Sequence, residues 1–228
     1  MKQIFTLVLA MSLGLTAAKA TDDVVHTYVL PSAVEDVKNP VMSLNGSWNF
    51  RPSVSAKWTT LLVPGEAAMQ GYAIEHDRPF FYKRAFYVPA DFAGKSIVLR
   101  FDGVYSYARL SVNGKHVRDH KGGFTRWETD VTRFVKPGKR NEIELEVIDP
   151  VDEISYASGY AHHPIGGILR DVTLFAVPKG CITDFHAETI LDSLYHNARL
   201  HIACNYNGNG GDVMSVRLVS PQGTTVKT

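Results

Sequence analysis

Tyr160, His162 and His163 stand together in one short stretch of a 228-residue chain. Tyrosine and histidine each combine a flat apolar face with a polar tip. The histidine pair does not read as a metal site. Neighbouring residues on an extended segment point to opposite sides, and no cysteine or carboxylate cluster completes a ligand set. Glu66, Glu75 and Glu128 are the acids that a search for catalytic carboxylates meets first, and all three read as loop or surface groups. Trp127, between Arg126 and Glu128, is either an exposed binding platform or a packing residue. Arg170 is expected to enter a buried charge pair with an acid of a neighbouring strand. Cys181 and Cys204 are either joined, as an exported chain permits, or remain two buried free thiols.

The elements that must position these groups are strands. Ile143, Leu145 and Val147 alternate with Glu142, Glu144 and Glu146, which predicts one buried and one wet face. Ile97, Leu99 and Phe101 repeat the pattern. Ala108, Leu110 and Val112 run into Asn113-Gly114, a pair that tolerates positive φ and suits a two-residue hairpin turn. Val131 to Val135 is a further short segment, closed by Pro137-Gly138, and Val172 to Val177 another, closed by Pro178. Trp48 and Phe50 share a strand face and are expected in the core. Gly166-Gly167 predicts a bulge or a close backbone approach. Many short strands at regular spacing predict an all-β fold, a sandwich or jelly roll.

A boundary is expected near Pro178-Lys179-Gly180. Beyond it, Ile182 to Ile190, Ala198 to Tyr206 and Val213 to Val219 read as strands, and Pro221-Gln222-Gly223 turns toward a fourth. Leu200, Ile202, Cys204 and Tyr206 fall on one face. An immunoglobulin-like sandwich takes about seven strands and about 100 residues. Residues 179–228 are therefore expected to be an incomplete, truncated one, with strand edges prone to aggregation.

Residues 1–20 read as a signal peptide. One lysine precedes an apolar run from Ile4 to Leu15, and Ala18-Lys19-Ala20 forms a cleavage site. A buried helix or a membrane anchor is the competing reading, and the run is short for a span. A periplasmic or secreted location follows, with cleavage after Ala20. The net charge is +1, and −1 without Lys2 and Lys19. Neither value points to nucleic acid or another polyanion. Hydrophobic residues at 45% suffice for a core. No membrane partner and no cofactor are expected.

Several blocks together resemble one family. Leu44-Asn45-Gly46-Ser47-Trp48-Asn49-Phe50 is similar to "L-x-G-x-W-x-F" of glycoside hydrolase family 2, and Val63-Pro64-Gly65 to its "VPG". The run from Phe81 to Pro89 resembles "WYRRxFxVP". Phe101-Asp102-Gly103-Val104 followed by Ser111-Val112-Asn113-Gly114 resembles "FxGVxxxAxVWVNG". Gly122-Gly123-Phe124-Thr125 resembles "GGYT", and the run from Gly166 to Val172 resembles "GGIxRxV". The blocks keep the family's order and cover about residues 40–178.

The resemblance implies a galactose-binding-like jelly roll over 21–178, then an immunoglobulin-like sandwich, then a catalytic (β/α)₈ barrel. Two barrel glutamates hydrolyse the β-linked glycoside with retention, about 5–5.5 Å apart. A barrel takes about 250 residues, so this chain is expected to lack it, and no residue here is given a catalytic role. The expected partners are carbohydrate and the barrel of the full-length enzyme. In β-galactosidases of the family, an Asn after "DGV" and an Asp before "GGIxR" reach the sugar. Tyr105 stands at the first position, and Gly159 to Ile165 carries no Asp. Both departures leave the sugar open. Tyr105, Tyr160, His162 and His163 are the tentative substrate-binding residues, with packing of the Tyr156 to Ile165 loop as the alternative. The chain then acts as a non-catalytic fragment that shapes a cleft; a free-standing carbohydrate-binding module is the rival reading.

Overall fold

The computed structural model describes residues 28–151, 165–208 and 215–227. Two compact units divide between Pro178 and Lys179. In chain order the first unit holds β1 (Val41–Ser43), β2 (Gly46–Arg51), β3 (Thr59–Val63), β4 (Gly65–Glu66), β5 (Phe80–Tyr87), β6 (Ser96–Phe101) and β7 (Val104–Tyr105). It continues with β8 (Tyr107–Val112), β9 (Lys115–Lys121), β10 (Trp127–Asp130), β11 (Arg140–Ile148), β12 (Gly167–Ile168) and β13 (Val172–Val177). The second holds β14 (Ile182–Leu191), β15 (Ala198–Tyr206), β16 (Leu218–Val219) and β17 (Thr225–Lys227).

The first unit is an all-β sandwich. Six strands in the order β3-β2-β5-β11-β8-β9 form one sheet, and β1-β13-β6-β10 form the other. Every pairing in both sheets is antiparallel. A small third sheet, β4-β12-β7, lies among the turns. The alternation read in β11 holds: Ile143, Leu145 and Val147 are fully buried, and the three glutamates face outward. Asn113 (φ 51°) and Gly114 (φ 74°) form the expected hairpin turn. The Asn113 amide nitrogen donates to Phe134 O and Asn141 Oδ1, both at 2.8 Å, and its oxygen accepts the Glu142 amide at 3.0 Å. The turn is thus tied to β11.

Trp48 and Phe50 enter the core, as their shared face requires. The Trp48 indole donates to Leu44 O at 2.8 Å. Phe50 lies 5.0 Å from Tyr82 and 5.1 Å from Tyr72, ring centre to ring centre. Such tilted pairs contribute about 0.5–1.5 kcal/mol each beyond burial of their area.

Two strand readings need correction. In β6, Val98 and Arg100 are buried along with Ile97, Leu99 and Phe101. The face expected to be wet is occupied: Tyr28 sets its ring against Phe175, 6.0 Å between centres. Val131 to Val135 forms a turn, with Phe134 and Val135 amides donating to Val131 O at 2.8 and 3.1 Å. Apolar residues four apart fit a single turn as readily as a strand end.

In the second unit, β14 pairs with β15 and β16 with β17. Thr183 is the one buried residue of β14. Leu200, Ile202 and Cys204 alternate as half-buried positions, and Tyr206 is exposed. Cys181 and Cys204 are half-buried and are not joined in a disulfide. Burial pushes the Cys181 thiol up against its hydrogen bond to Asn207. Asp192 shapes the β14–β15 turn. The Asn197 side chain, then the His196 amide, hold its carboxyl below the usual range.

Candidate functional site

Several of the recognisable blocks converge at one edge of the sandwich. β12, from the Gly166-to-Val172 block, pairs with β4 beside Val63-Pro64-Gly65 and with β7 of the Phe101-to-Val104 block. Leu169 donates to Gly103 O and Asp102 to Asp171 O, both at 2.9 Å. Asn45 closes the circuit. Its amide nitrogen donates to Asp171 Oδ1 at 2.9 Å, and its oxygen accepts the Val172 amide at 3.0 Å.

Glycine makes this approach possible. Gly167 has φ +136°, and a Cβ there would lie 2.9 Å from Gly65 O and from Tyr82 Oη. A Cβ on Gly123 would lie 2.0 Å from the Tyr105 ring. The expected close approach at Gly166-Gly167 is therefore observed. Burial raises the Tyr82 hydroxyl's pKa, against the opposing amide of Ile168.

Beside this sheet opens a cleft of about 500 Å³, lined by Pro64, Asp102, Arg126, Leu169, Arg170 and Asp171. Arg126 pairs with Asp102. Arg170 lays its stem over Gly103, its Cδ 3.3 Å from where a Cβ would stand. It is exposed and forms no ion pair among the described residues. This corrects the buried pair expected there. That pair is instead Arg100–Glu128, whose side chains are 4% and 2% exposed. Glu128, expected at the surface, also accepts the Tyr28 amide at 2.6 Å. Burial raises its pKa, with the Tyr28 amide and Arg100 opposing. Local sequence could not show this, because the partner lies 28 residues away on the next strand.

Glu75 is exposed and pairs with Arg78 at 2.9 Å, and Glu66 is half-buried in β4. Glu142 and Glu144 converge on Lys83 Nζ, at 3.3 and 3.0 Å, on an open sheet face. Asp149, 1% exposed, holds His76 Nδ1 at 2.9 Å and accepts from Ser106 Oγ at 3.3 Å. The carboxylate stands between histidine and serine. The hydroxyl therefore donates to the acid and is not handed to the imidazole, the reverse of an activated serine. No local pattern in the sequence marks this chain of contacts.

Tyr105 lies in β7, 6% exposed, its ring 5.2 Å from Phe124. Tyr160, His162 and His163 lie outside the described residues. The flanks of their segment are described: Val151 donates to Asp77 Oδ1 at 3.1 Å, and Gly166 accepts the Ala67 amide at 2.9 Å. Trp127 is not a sugar platform. Phe101 stacks on it at 4.5 Å and 15°, and His120 at 4.9 Å and 16°. Phe124, three residues upstream and not singled out from the sequence, is an exposed aromatic at 52%. Among the described residues, no three His, Cys, Asp or Glu side chains gather into a metal-holding group.

The family model described as "Glycosyl hydrolases family 2, sugar binding domain" matches residues 70–178. The chain carries the N-terminal domain of glycoside hydrolase family 2. This family 2 domain is 31% identical over 155 residues to a β-glucuronidase of Bacteroides fragilis, across 61% of this chain and 21% of that protein. A β-galactosidase of Priestia megaterium is 27% identical over 201 residues, 72% of this chain and 19% of that one. The chain thus spans about a fifth of the length of these curated relatives. The solved β-D-glucuronidase of Dictyoglomus thermophilum matches with TM-score 0.59 and 26% identity, over 74% of this chain and 33% of that one. The Ruminococcus gnavus β-glucuronidase, at 21% identity and TM-score 0.63 over 85% of this chain and 38% of that one, shares the fold.

Proposed function

We propose that the chain is the non-catalytic N-terminal part of an exported retaining β-glycosidase, and that its sandwich shapes the sugar cleft of a catalytic barrel. One observation carries this reading: several of the family's blocks, spread from Asn45 to Val172, fold onto one edge around β4-β12-β7. The described residues on either side of 152–164 are held at Asp77 and, beside β4, at Ala67, and Tyr160, His162 and His163 belong to the stretch of sequence between them. In this reading those three side chains meet the sugar. Tyr105 braces Phe124, which offers a flat apolar face beside the cleft. Residues 1–20 direct export and are removed, residues 21–178 are the sugar-binding jelly roll, and 179–228 supply strands of an immunoglobulin-like domain.

The relatives named above act on glucuronides or galactosides, and the substrate is accordingly a β-linked glycoside. Two measurements test the proposal. The coding sequence downstream of codon 228 is expected to continue into βα repeats carrying two glutamate motifs. Purified chain is expected to leave chromogenic β-galactoside, β-glucuronide and β-mannoside intact. Turnover that co-purifies with the chain and vanishes on substituting one of its own acids would overturn it.

A further inference from the structure

The outer face of the six-stranded sheet presents a side-chain array that is separate from the cleft. Arg51, at the end of β2, is sandwiched between two rings. Its guanidinium carbon lies 4.8 Å from the Trp58 ring centre and 4.5 Å from that of Phe81. Its Nε is buried without a partner, and the guanidinium forms no hydrogen bond or ion pair among the described residues. An arginine packed between two rings has the Nη1–Nη2 end of its guanidinium pre-oriented, and that end can grip a carboxylate with two bonds. Trp58 is 40% exposed, with Lys83 Nζ also over its ring at 5.6 Å, so the part that neither cation covers is open to a ligand.

The next row of the same face is polar and uncharged except for one lysine. Asn49 pairs with Thr60 across β2 and β3 and with Lys83 across β2 and β5. Same-face rows stand about 7 Å apart along a strand, close to the length of one sugar unit. Ser47, Asn49, Thr60 and Lys83, together with Arg84 from the neighbouring position of β5, are among the residues that line a shallow cleft of about 310 Å³. Charge is zoned across the sheet. No acidic residue occurs between Asp36 and Glu66, where Lys38, Arg51 and Lys57 all fall. The glutamates of β11 lie beyond Lys83, which holds two of them.

From this array we infer a binding site, on the outer face of β2, β3 and β5, for a polysaccharide whose sugars carry carboxylates. One uronic acid unit sets its carboxylate on the Arg51 edge and its ring on Trp58. The next unit meets the hydroxyl and amide groups of Asn49, Thr60 and Ser47. An acidic peptide satisfies Arg51 but leaves this row of hydroxyl partners unused, so the sugar is favoured. The inference does not rest on the family or on the cleft.

Isothermal titration calorimetry of the full chain with a galacturonic acid tetramer tests it, against a neutral galactose tetramer and a hexaglutamate peptide. Saturable binding of the acidic tetramer is expected, at least tenfold tighter than either comparator and several-fold weaker in 0.5 M salt. Arg51→Ala and Trp58→Ala are expected to weaken it at least tenfold. Arg51→Lys, which keeps charge and fold, is expected to weaken it at least threefold because the planar fork is lost. Trp58 is the exposed tryptophan, with Trp48 and Trp127 at 1% and 2%. Bound ligand should therefore reduce acrylamide quenching of the fluorescence. No saturable heat at millimolar ligand, equal affinity for the neutral tetramer or for hexaglutamate, or unchanged affinity in both Arg51→Lys and Trp58→Ala would each overturn the proposal.

Discussion

β6 and β15 read alike in the sequence and end up in different surroundings. Both alternate apolar residues, Ile97-Leu99-Phe101 in one and Leu200-Ile202-Cys204 in the other. In β6 all five residues from Ile97 to Phe101 are buried. In β15 the alternating positions are half-buried and the rest exposed. Its partner β14 leaves Phe185 59%, Ile190 47% and Leu191 51% exposed. A strand pattern is local, whereas burial needs a facing layer. β6 has Trp127 and the six-stranded sheet on one side and Tyr28 on the other. Among the described residues β14 and β15 have each other.

The comparison breaks first at the core. Trp48→Ala should cost about 3–5 kcal/mol, since it removes a fully buried ring and orphans Leu44 O. Urea denaturation measures it, and a loss under 1 kcal/mol would mean that the sandwich core is not packed as described. Next comes the buried ion pair. Glu128→Ala leaves Arg100 charged and unpaired and should cost about 3–5 kcal/mol, with most of it recovered in Arg100→Met/Glu128→Leu. Recovery should be read in the same denaturation experiment; a double variant no better than the single one would show that Tyr28, rather than the pair, seals that face.

Asn45→Ala loses two hydrogen bonds at the convergent edge and should cost about 1–3 kcal/mol. Hydrogen exchange should then rise at Val172. His120 supplies a smaller, pH-dependent effect. Burial lowers its pKa from the ordinary value near 6.5. The unfolded chain therefore binds the proton more readily, so stability is full above about pH 6.5 and falls as the pH drops toward the folded value. Melting temperature measured from pH 8 to 5 should show this slope, and His120→Gln should flatten it. The smallest effect belongs to the second unit: Phe185→Ser should change stability by no more than about 0.5 kcal/mol. A larger loss would mean that β14 is covered in solution.

Strand placement was largely legible in the sequence. Val172–Val177 and Ala198–Tyr206 are strands over the residues read, the Asn113-Gly114 turn forms, and the glutamates of β11 face outward. Period, turn chemistry and β-branched content act over a few residues, so a linear reading captures them. The family blocks were legible for the same reason, since each is a contiguous run.

The candidate site was not legible to the same degree. Glu128, flanked by charge, read as surface, yet it holds a buried arginine, and Trp127, left open between platform and packing, is stacked on Phe101 and His120. Arg170 read as buried and is exposed. Phe124 and the Ser106–Asp149–His76 contacts drew no notice. What the sequence determined alone is the set of strands, their turns and the family they belong to, because neighbours along the chain set those. Which charge is buried, which aromatic stays open and which blocks meet at one edge were decided by tertiary structure. Each depends on a partner tens of residues away, and a buried charge is tolerable only where such a partner stands opposite it.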